Sequence, residues 1–194
     1  MSKKDIILAG VGGQGILTIA TIIGNAAAVE GINLKQAEVH GMSQRGGDVQ
    51  SNLRLSTEPI YSDLIHNGTA DLIISMEPME ALRYVANLND QGWVISSSTP
   101  FKNIPNYPDE QALYTELGSL PRVVTLDIEQ MAKDNGVPKS ANVLLLGMAA
   151  RFIEILSPEQ LRKAIERVFA SKGEKVVEDN LRAFDLGINA AKCE

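Results

Sequence analysis

Apolar positions fall first into short blocks and later into helical spacing. Residues 5–9 (DIILA) form a brief apolar run that ends at glycines, the pattern of a strand buried on both faces. Over residues 16–29 apolar side chains recur at helical spacing and Gly31 follows as a C-terminal glycine, which predicts a helix. Residues 34–39 read as a second strand. Residues 40–47 (HGMSQRGG) are polar and glycine-rich, a loop. Residues 48–56 (DVQSNLRLS) alternate Val49, Ser51, Leu53 and Leu55 with polar neighbours, a half-buried strand. Further strands are predicted over 70–76, 92–98 and 122–127. Pro78 suits the first turn of a helix, and residues 109–117 predict another. Between them, residues 99–108 hold Pro100, Pro105 and Pro108 and predict an irregular excursion.

From Ser140 onward the spacing is helical to the end. Ser157-Pro158-Glu159-Gln160 is a helix start, with Ser157 capping, Pro158 at the first position and Gln160 reaching back. Leu161, Ile165, Val168 and Phe169 mark that helix's buried face; Val177, Leu181, Phe184 and Ile188 mark the last one's. Strands alternating with helices, then helices alone, predict a three-layer, Rossmann-like α/β domain. Its sheet is mainly parallel (mixed) and its C-terminal third helical. The chain has 194 residues, enough for one well-buried core and short for two, so a single domain over 1–194 is expected.

Composition narrows the function classes. The net charge is −6 and no basic cluster stands out, which argues against a nucleic-acid binder. The single cysteine, Cys193, can form neither an iron–sulfur cluster nor a disulfide within the chain. Residues 6–29 carry no charge, as a signal peptide or membrane span would. Gly10, Gly12, Gly13 and Gly15 break that run, and Gln14, Thr18, Thr21 and Asn25 punctuate it. Strand, glycine turn and helix explain the same letters better, so no membrane association and a cytoplasmic location are expected.

Gly10-Val11-Gly12-Gly13-Gln14-Gly15 fits G-x-G-x-x-G at a strand-to-helix junction. Glycines allow the tight turn and a ligand's close approach, and the amides at a helix start attract phosphate. Glu38, 23 residues past Gly15, resembles the acidic residue that holds a ribose hydroxyl. Three readings stay open: a tight turn alone, an anion or nucleotide site, or true NAD or FAD binding. The segment His40-Gly41-Met42-Ser43-Gln44-Arg45-Gly46-Gly47 follows the second strand and should share the sheet edge of the glycine loop. Arg45 beside two glycines is a fixed cation on closely approachable backbone, suited to a phosphate or carboxylate; a solvated turn arginine is the plainer alternative. His40 and His66 enter no Ser-His-Asp or Cys-His arrangement, and metal-ligand spacing is absent.

G-V-G-G-Q-G, followed by E-V-H-G-M-S-Q-R-G-G-D-V and L-R-L-S, resembles the gamma-type domain of 2-oxoacid:ferredoxin oxidoreductases. Ser140-Ala141-Asn142-Val143, opening an apolar helix with Gly147, is similar too. The H-G-M-S-Q-R-G-G form most resembles the beta subunit of the indolepyruvate type. The resemblance implies an oxidoreductase subunit with no catalytic residue of its own. A larger alpha subunit would carry thiamine diphosphate, Mg and the 4Fe–4S clusters, with ferredoxin as electron acceptor and coenzyme A as co-substrate. The implied site residues are Gly10, Gly12, Gly13, Gln14 and Gly15 as an anion-holding loop. Ser43, Arg45, Gly46 and Gly47 would form a facing loop, and Asn142 an orienting amide. The alternatives are a free-standing Rossmann-type NAD(P) oxidoreductase and a non-catalytic regulatory or assembly module.

Overall fold

The computed structural model describes residues 2–40, 47–102 and 104–191. Six strands form one sheet: β1 (Lys3–Val11), β2 (Asn33–His40), β3 (Asp48–Ser56), β4 (Ala70–Ser75), β5 (Leu88–Ser97) and β6 (Val123–Leu126). Their spatial order is β2-β3-β1-β4-β5-β6. The pairs β1–β4, β4–β5 and β5–β6 are parallel, whereas β3 is antiparallel to both β1 and β2. All strands but β3 therefore share one direction. The reversal follows from chain length. Fewer than ten residues link β2 to β3, too few for the crossover that a parallel pair requires.

The described helices are α1 (Ile16–Val29), α2 (Pro78–Arg83), α3 (Glu110–Gly118), α4 (Ile128–Asp134), α5 (Ala141–Ile153), α6 (Pro158–Phe169) and α7 (Glu174–Ala190). The main core joins one sheet face (Ile6, Leu8, Leu53, Leu72, Ile74) to α1, α4, α5, α6 and α7. A smaller cluster on the other face packs Ile7, Ile73 and Val94 against Ala81 of α2 and Leu117 of α3. This is the expected three-layer arrangement, with most of the helical mass on one side. Each large aliphatic buried this way contributes about 1.5–3 kcal/mol over leaving it exposed.

Local signals explain several elements. Ser157 and Gln160 form both halves of a capping box, and Pro158 opens α6. Glu77 caps α2, which begins at Pro78. Gly31, at φ +67, ends the turn after α1. Asp5, fully buried at the start of β1, accepts from Nε and Nη2 of its cross-strand neighbour Arg54 at 2.9 and 3.0 Å.

The sequence reading needs three corrections. It left out α4, whose start is marked by Asp127 accepting from the Gln130 amide at 2.9 Å. It began β5 at residue 92, where the strand starts at Leu88. Of the four positions it gave to α7's buried face, Phe184 is buried, whereas Val177, Leu181 and Ile188 are only partly so. The buried positions there are Asn180, Ala183, Phe184 and Gly187. The cause is a close helix crossing. A Cβ on Gly147 would lie 2.1 Å from the Phe184 carbonyl oxygen, and one on Gly187 would lie 2.0 Å from that of Leu144. Among the described residues, no helix is long and apolar enough to cross a membrane.

Candidate functional site

β1 delivers the chain to the carboxyl edge of the sheet at the glycine loop. Gly10 sits where strand, turn and helix converge. A Cβ there would stand 2.9 Å from Ile16 Cγ1 and 3.2 Å from Met76 Cβ, so a side chain would push the three apart. Gln14 braces the turn from inside. Its Oε1 accepts from the Val11 amide at 2.7 Å, its Nε2 donates to the Met76 carbonyl at 3.3 Å, and its own amide donates to the Val11 carbonyl at 3.1 Å. Gln14 thus holds the loop's shape rather than offering its amide to a ligand.

Gly13 and Gly15 take left-handed backbone, φ +103 and +83, which L side chains rarely adopt. Gly13 faces open space, whereas a Cβ on Gly15 would reach within 2.6 Å of Asn142 Nδ2. That nitrogen donates to the Gly15 carbonyl at 3.1 Å. Helix α1 then starts with no side-chain cap and no acidic residue in its first turn. Its amide end therefore keeps its partial positive charge.

The two sequence motifs meet at one bond, from the Gly12 amide to the Gly47 carbonyl, 2.8 Å. The reversed β3 makes this possible, because its first residues pair with the last of β1, Asp48 opposite Val11. Of the site residues expected from sequence, the structure thus joins Gly10, Gly12, Gly13, Gln14, Gly15, Gly47 and Asn142. Ser43, Arg45 and Gly46 lie outside the described residues.

A cleft of about 380 Å3 opens beside this loop, between the starts of α1 and α5 and the first turns of α7. Beyond the glycines and Asn142, it is lined by Thr18, Lys139, Ser140, Lys172 and Asn180. The sequence reading singled out none of these five as a site residue. Lys139 and Ser140 are neighbours in the turn before α5, but Thr18, Lys172 and Asn180 come from other elements, and no sequence spacing connects them to it.

Next to the loop, on the far side of Met76, the fully buried Glu77 accepts from the amides of Glu80 at 2.8 Å and Phe101 at 3.2 Å, and from the Tyr107 hydroxyl. It ties the proline-rich excursion to the end of β4. Burial and the bond to Glu77 push the Tyr107 phenol above its ordinary pKa.

Glu38 is not placed to hold a ribose. A dinucleotide site needs the second strand beside the first, but here β3 intervenes: Glu38 pairs with Ser51, and Ser51 with Leu8. That puts β2 about 10 Å from β1. His66 belongs to a turn, its carbonyl accepting from the Thr69 hydroxyl at 2.8 Å. Among the described residues, no group of three or more His, Cys, Asp or Glu is arranged to hold a metal; Cys193 lies outside them.

Comparison with known proteins agrees along the whole length. The family model described as pyruvate ferredoxin/flavodoxin oxidoreductase matches residues 5–190. The indolepyruvate oxidoreductase subunit IorB of Thermococcus kodakarensis is 37% identical, over 99% of this chain and 98% of its own. That of Pyrococcus horikoshii is 36% identical over the same shares. Among solved structures, the gamma subunit of a keto/oxoacid ferredoxin oxidoreductase from Geobacter sulfurreducens superposes with a TM-score of 0.70. It is 26% identical, over 98% of this chain and 99% of its own. A 2-oxoglutarate:ferredoxin oxidoreductase from Magnetococcus marinus, with 2-oxoglutarate, coenzyme A and succinyl-CoA bound, shares the fold. Its TM-score is 0.77 at 23% identity, over 100% of this chain and 32% of that longer one. From residue 5 to residue 190, then, this chain belongs to the pyruvate ferredoxin/flavodoxin oxidoreductase family.

Proposed function

We propose that the chain is the small subunit of a 2-oxoacid:ferredoxin oxidoreductase of the indolepyruvate type, one domain over residues 1–194, working in the cytoplasm. A larger alpha subunit holds thiamine diphosphate with its Mg and the 4Fe–4S clusters. Aryl-2-oxoacids are oxidatively decarboxylated there, ferredoxin takes the electrons, and coenzyme A takes the acyl group. One observation carries this reading. Relatives named as indolepyruvate oxidoreductase subunits match this chain over 98% of their own length, so the correspondence is with a whole subunit.

Within that assembly the glycine loop is the anion-holding element, built from Gly10, Gly12, Gly13, Gln14 and Gly15, with Asn142 fixing its end. Ser43, Arg45, Gly46 and Gly47 supply the facing loop, where the Arg45 guanidinium offers a permanently charged fork to an anion. The dehydrogenase alternative loses its main support with Glu38 a strand away from β1.

Co-expression with the larger subunit tests the proposal. The expected result is a stable complex that contains iron and reduces ferredoxin in the presence of indolepyruvate and coenzyme A. The isolated chain should do neither. Stoichiometric iron or 2-oxoacid oxidation in the isolated chain, or failure of the two to associate, would overturn it.

A further inference from the structure

We infer that the cleft over β2 and β3, on the sheet face opposite the main core, is a docking surface for an extended, uncharged segment of the larger subunit. That such a partner exists rests on the subunit reading above; the chemistry required of its segment rests on the cleft.

Asn52 points to an occupant. It lies in β3 opposite Ile7 of β1 and Ala37 of β2, so its side chain shares the face on which Ile7 joins the smaller core. It is only 5% exposed and lines the cleft. Among the described residues its Oδ1 is buried without a hydrogen-bond partner. Buried polar side chains are nearly always paired, and leaving one unpaired costs stability. This acceptor is open to a donor from outside the chain.

The wall of the cleft is fixed before anything docks. Helix α2 packs over β1, β4 and β5 on this face, whereas β2 and β3 are flanked by the segment between β3 and β4. Arg54, held by the buried Asp5, donates from Nη1 to the carbonyls of Ser62 and Leu64 at 3.0 and 3.2 Å. Ile65 is buried in the smaller core. The His66 carbonyl accepts from the Thr69 amide at 3.2 Å, and Asn67 Oδ1 accepts from Asn87 Nδ2 at 3.1 Å. About 650 Å3 is thereby kept open between Val39, Gln50 and Asn52 on the sheet and Leu64, Ile65 and His66 on the segment.

Chemistry selects the occupant. No Lys, Arg, Asp or Glu lines the cleft, so it offers no permanent charge to a phosphate or a carboxylate. Val39 and Leu64 are 55% and 53% exposed, and apolar side chains gathered at the surface mark association sites. An extended backbone supplies what is missing: an N–H for Asn52 Oδ1 and an adjacent apolar side chain for Val39 and Leu64. Gln50, two residues along the same face, adds a second carboxamide. A second copy of this chain fits less well. Each copy carries a net charge of −6, and the cleft holds no Lys or Arg to offset the repulsion.

The test is the dissociation constant of the full chain with the larger subunit, together with hydrogen exchange of the chain free and in complex. Amides of residues 64–67 should gain protection in the complex. Val39→Asp and Leu64→Asp should each weaken association about tenfold or more. Val29→Asp, similarly exposed at the end of α1, should leave it unchanged. Asn52→Leu separates docking from folding, because it removes the unpaired acceptor at nearly constant volume. The isolated variant should melt no lower than the native chain, while association weakens about tenfold. Association indifferent to all three cleft variants, or a complex without protection at 64–67, would overturn the inference and leave the subunit reading standing. Failure of the unaltered chain to associate removes the subunit reading and this inference with it. A dimer of the isolated chain that Val39→Asp dissolves assigns the cleft to a second copy and likewise rejects the inference.

Discussion

Asn142 donates its side-chain amide to the Gly15 carbonyl at 3.1 Å, and the same nitrogen occupies the space a Gly15 Cβ would need, 2.6 Å away. Bond and close approach are one arrangement. The first turn of α5 reaches the glycine loop only because residue 15 has no side chain.

Gly15→Ala should therefore destabilise the fold by about 2–3 kcal/mol. Left-handed backbone accounts for roughly 1–2 of this and the displaced hydrogen bond for about 1. Asn142→Ala should cost about 1 kcal/mol. In the double variant the combined loss should be smaller than the sum of the two single losses, because removing the Asn142 amide clears the space that the added methyl at position 15 needs. Urea unfolding midpoints measure this, and strict additivity would refute the coupling.

The α5–α7 crossing makes a stronger prediction. Gly147→Ala or Gly187→Ala drives a methyl into backbone carbonyl oxygens on the facing helix, where no side chain can move aside. Each should cost about 3 kcal/mol or more, the upper range of overpacking. Gly118→Ala is the control: exposed at the end of α3 with open space around it, it should raise stability by about 0.5–1 kcal/mol. Thermal unfolding that ranks these three differently would contradict the packing described.

Acid should reveal Glu80. Burial pushes its carboxyl above the ordinary 4.5, against the opposing pull of Arg83. The folded chain thus holds this proton more tightly than the unfolded one. The resulting stability is complete below 4.5 and is lost as pH rises through the raised value. Stability of the native chain relative to Glu80→Gln should consequently fall on going from acid toward neutrality. A difference that stays constant or grows over that range would reverse the assignment.

For dinucleotides the expectation is negative. NADH should bind no more tightly than ADP, since the residue that would hold its ribose lies beyond β3. Glu38→Ala should leave both affinities unchanged. An NADH affinity that Glu38→Ala lowers would restore the dehydrogenase reading.

Much of this was legible in the sequence, for reasons particular residues make clear. Ile6, Ile7 and Leu8 ending at Gly10 give a buried strand and its turn, and Ser157 with Gln160 marks a helix start without tertiary help. What stayed hidden depends on partners across space. The alternation in β3 says that one face is buried but not which strands flank it, so its insertion between β1 and β2 could not be read. Gly147, Ala183 and Gly187 contribute nothing to an apolar pattern, yet they set where α7 lies. Lys139 and Lys172 look like solvated charges until the fold carries them to a glycine loop more than a hundred residues away.

The reversed β3 also orders events in time. Its ladder with β2 joins residues as near in sequence as His40 and Val49, and its ladder with β1 is complete once residue 56 has been made. The parallel pair β1–β4 closes a longer stretch, Ile6 opposite Leu72, than β4–β5 or β5–β6 do, and nearby contacts form sooner than distant ones. The segment through Ser56, with the glycine loop docked on Gly47, and the β4–β6 segment should therefore form as two units that join last along β1 and β4. In pulse-labelled hydrogen exchange, amides in the β2–β3 ladder should gain protection before those that join β1 to β4. On that schedule, half of the candidate site is in place before the chain reaches Ser140.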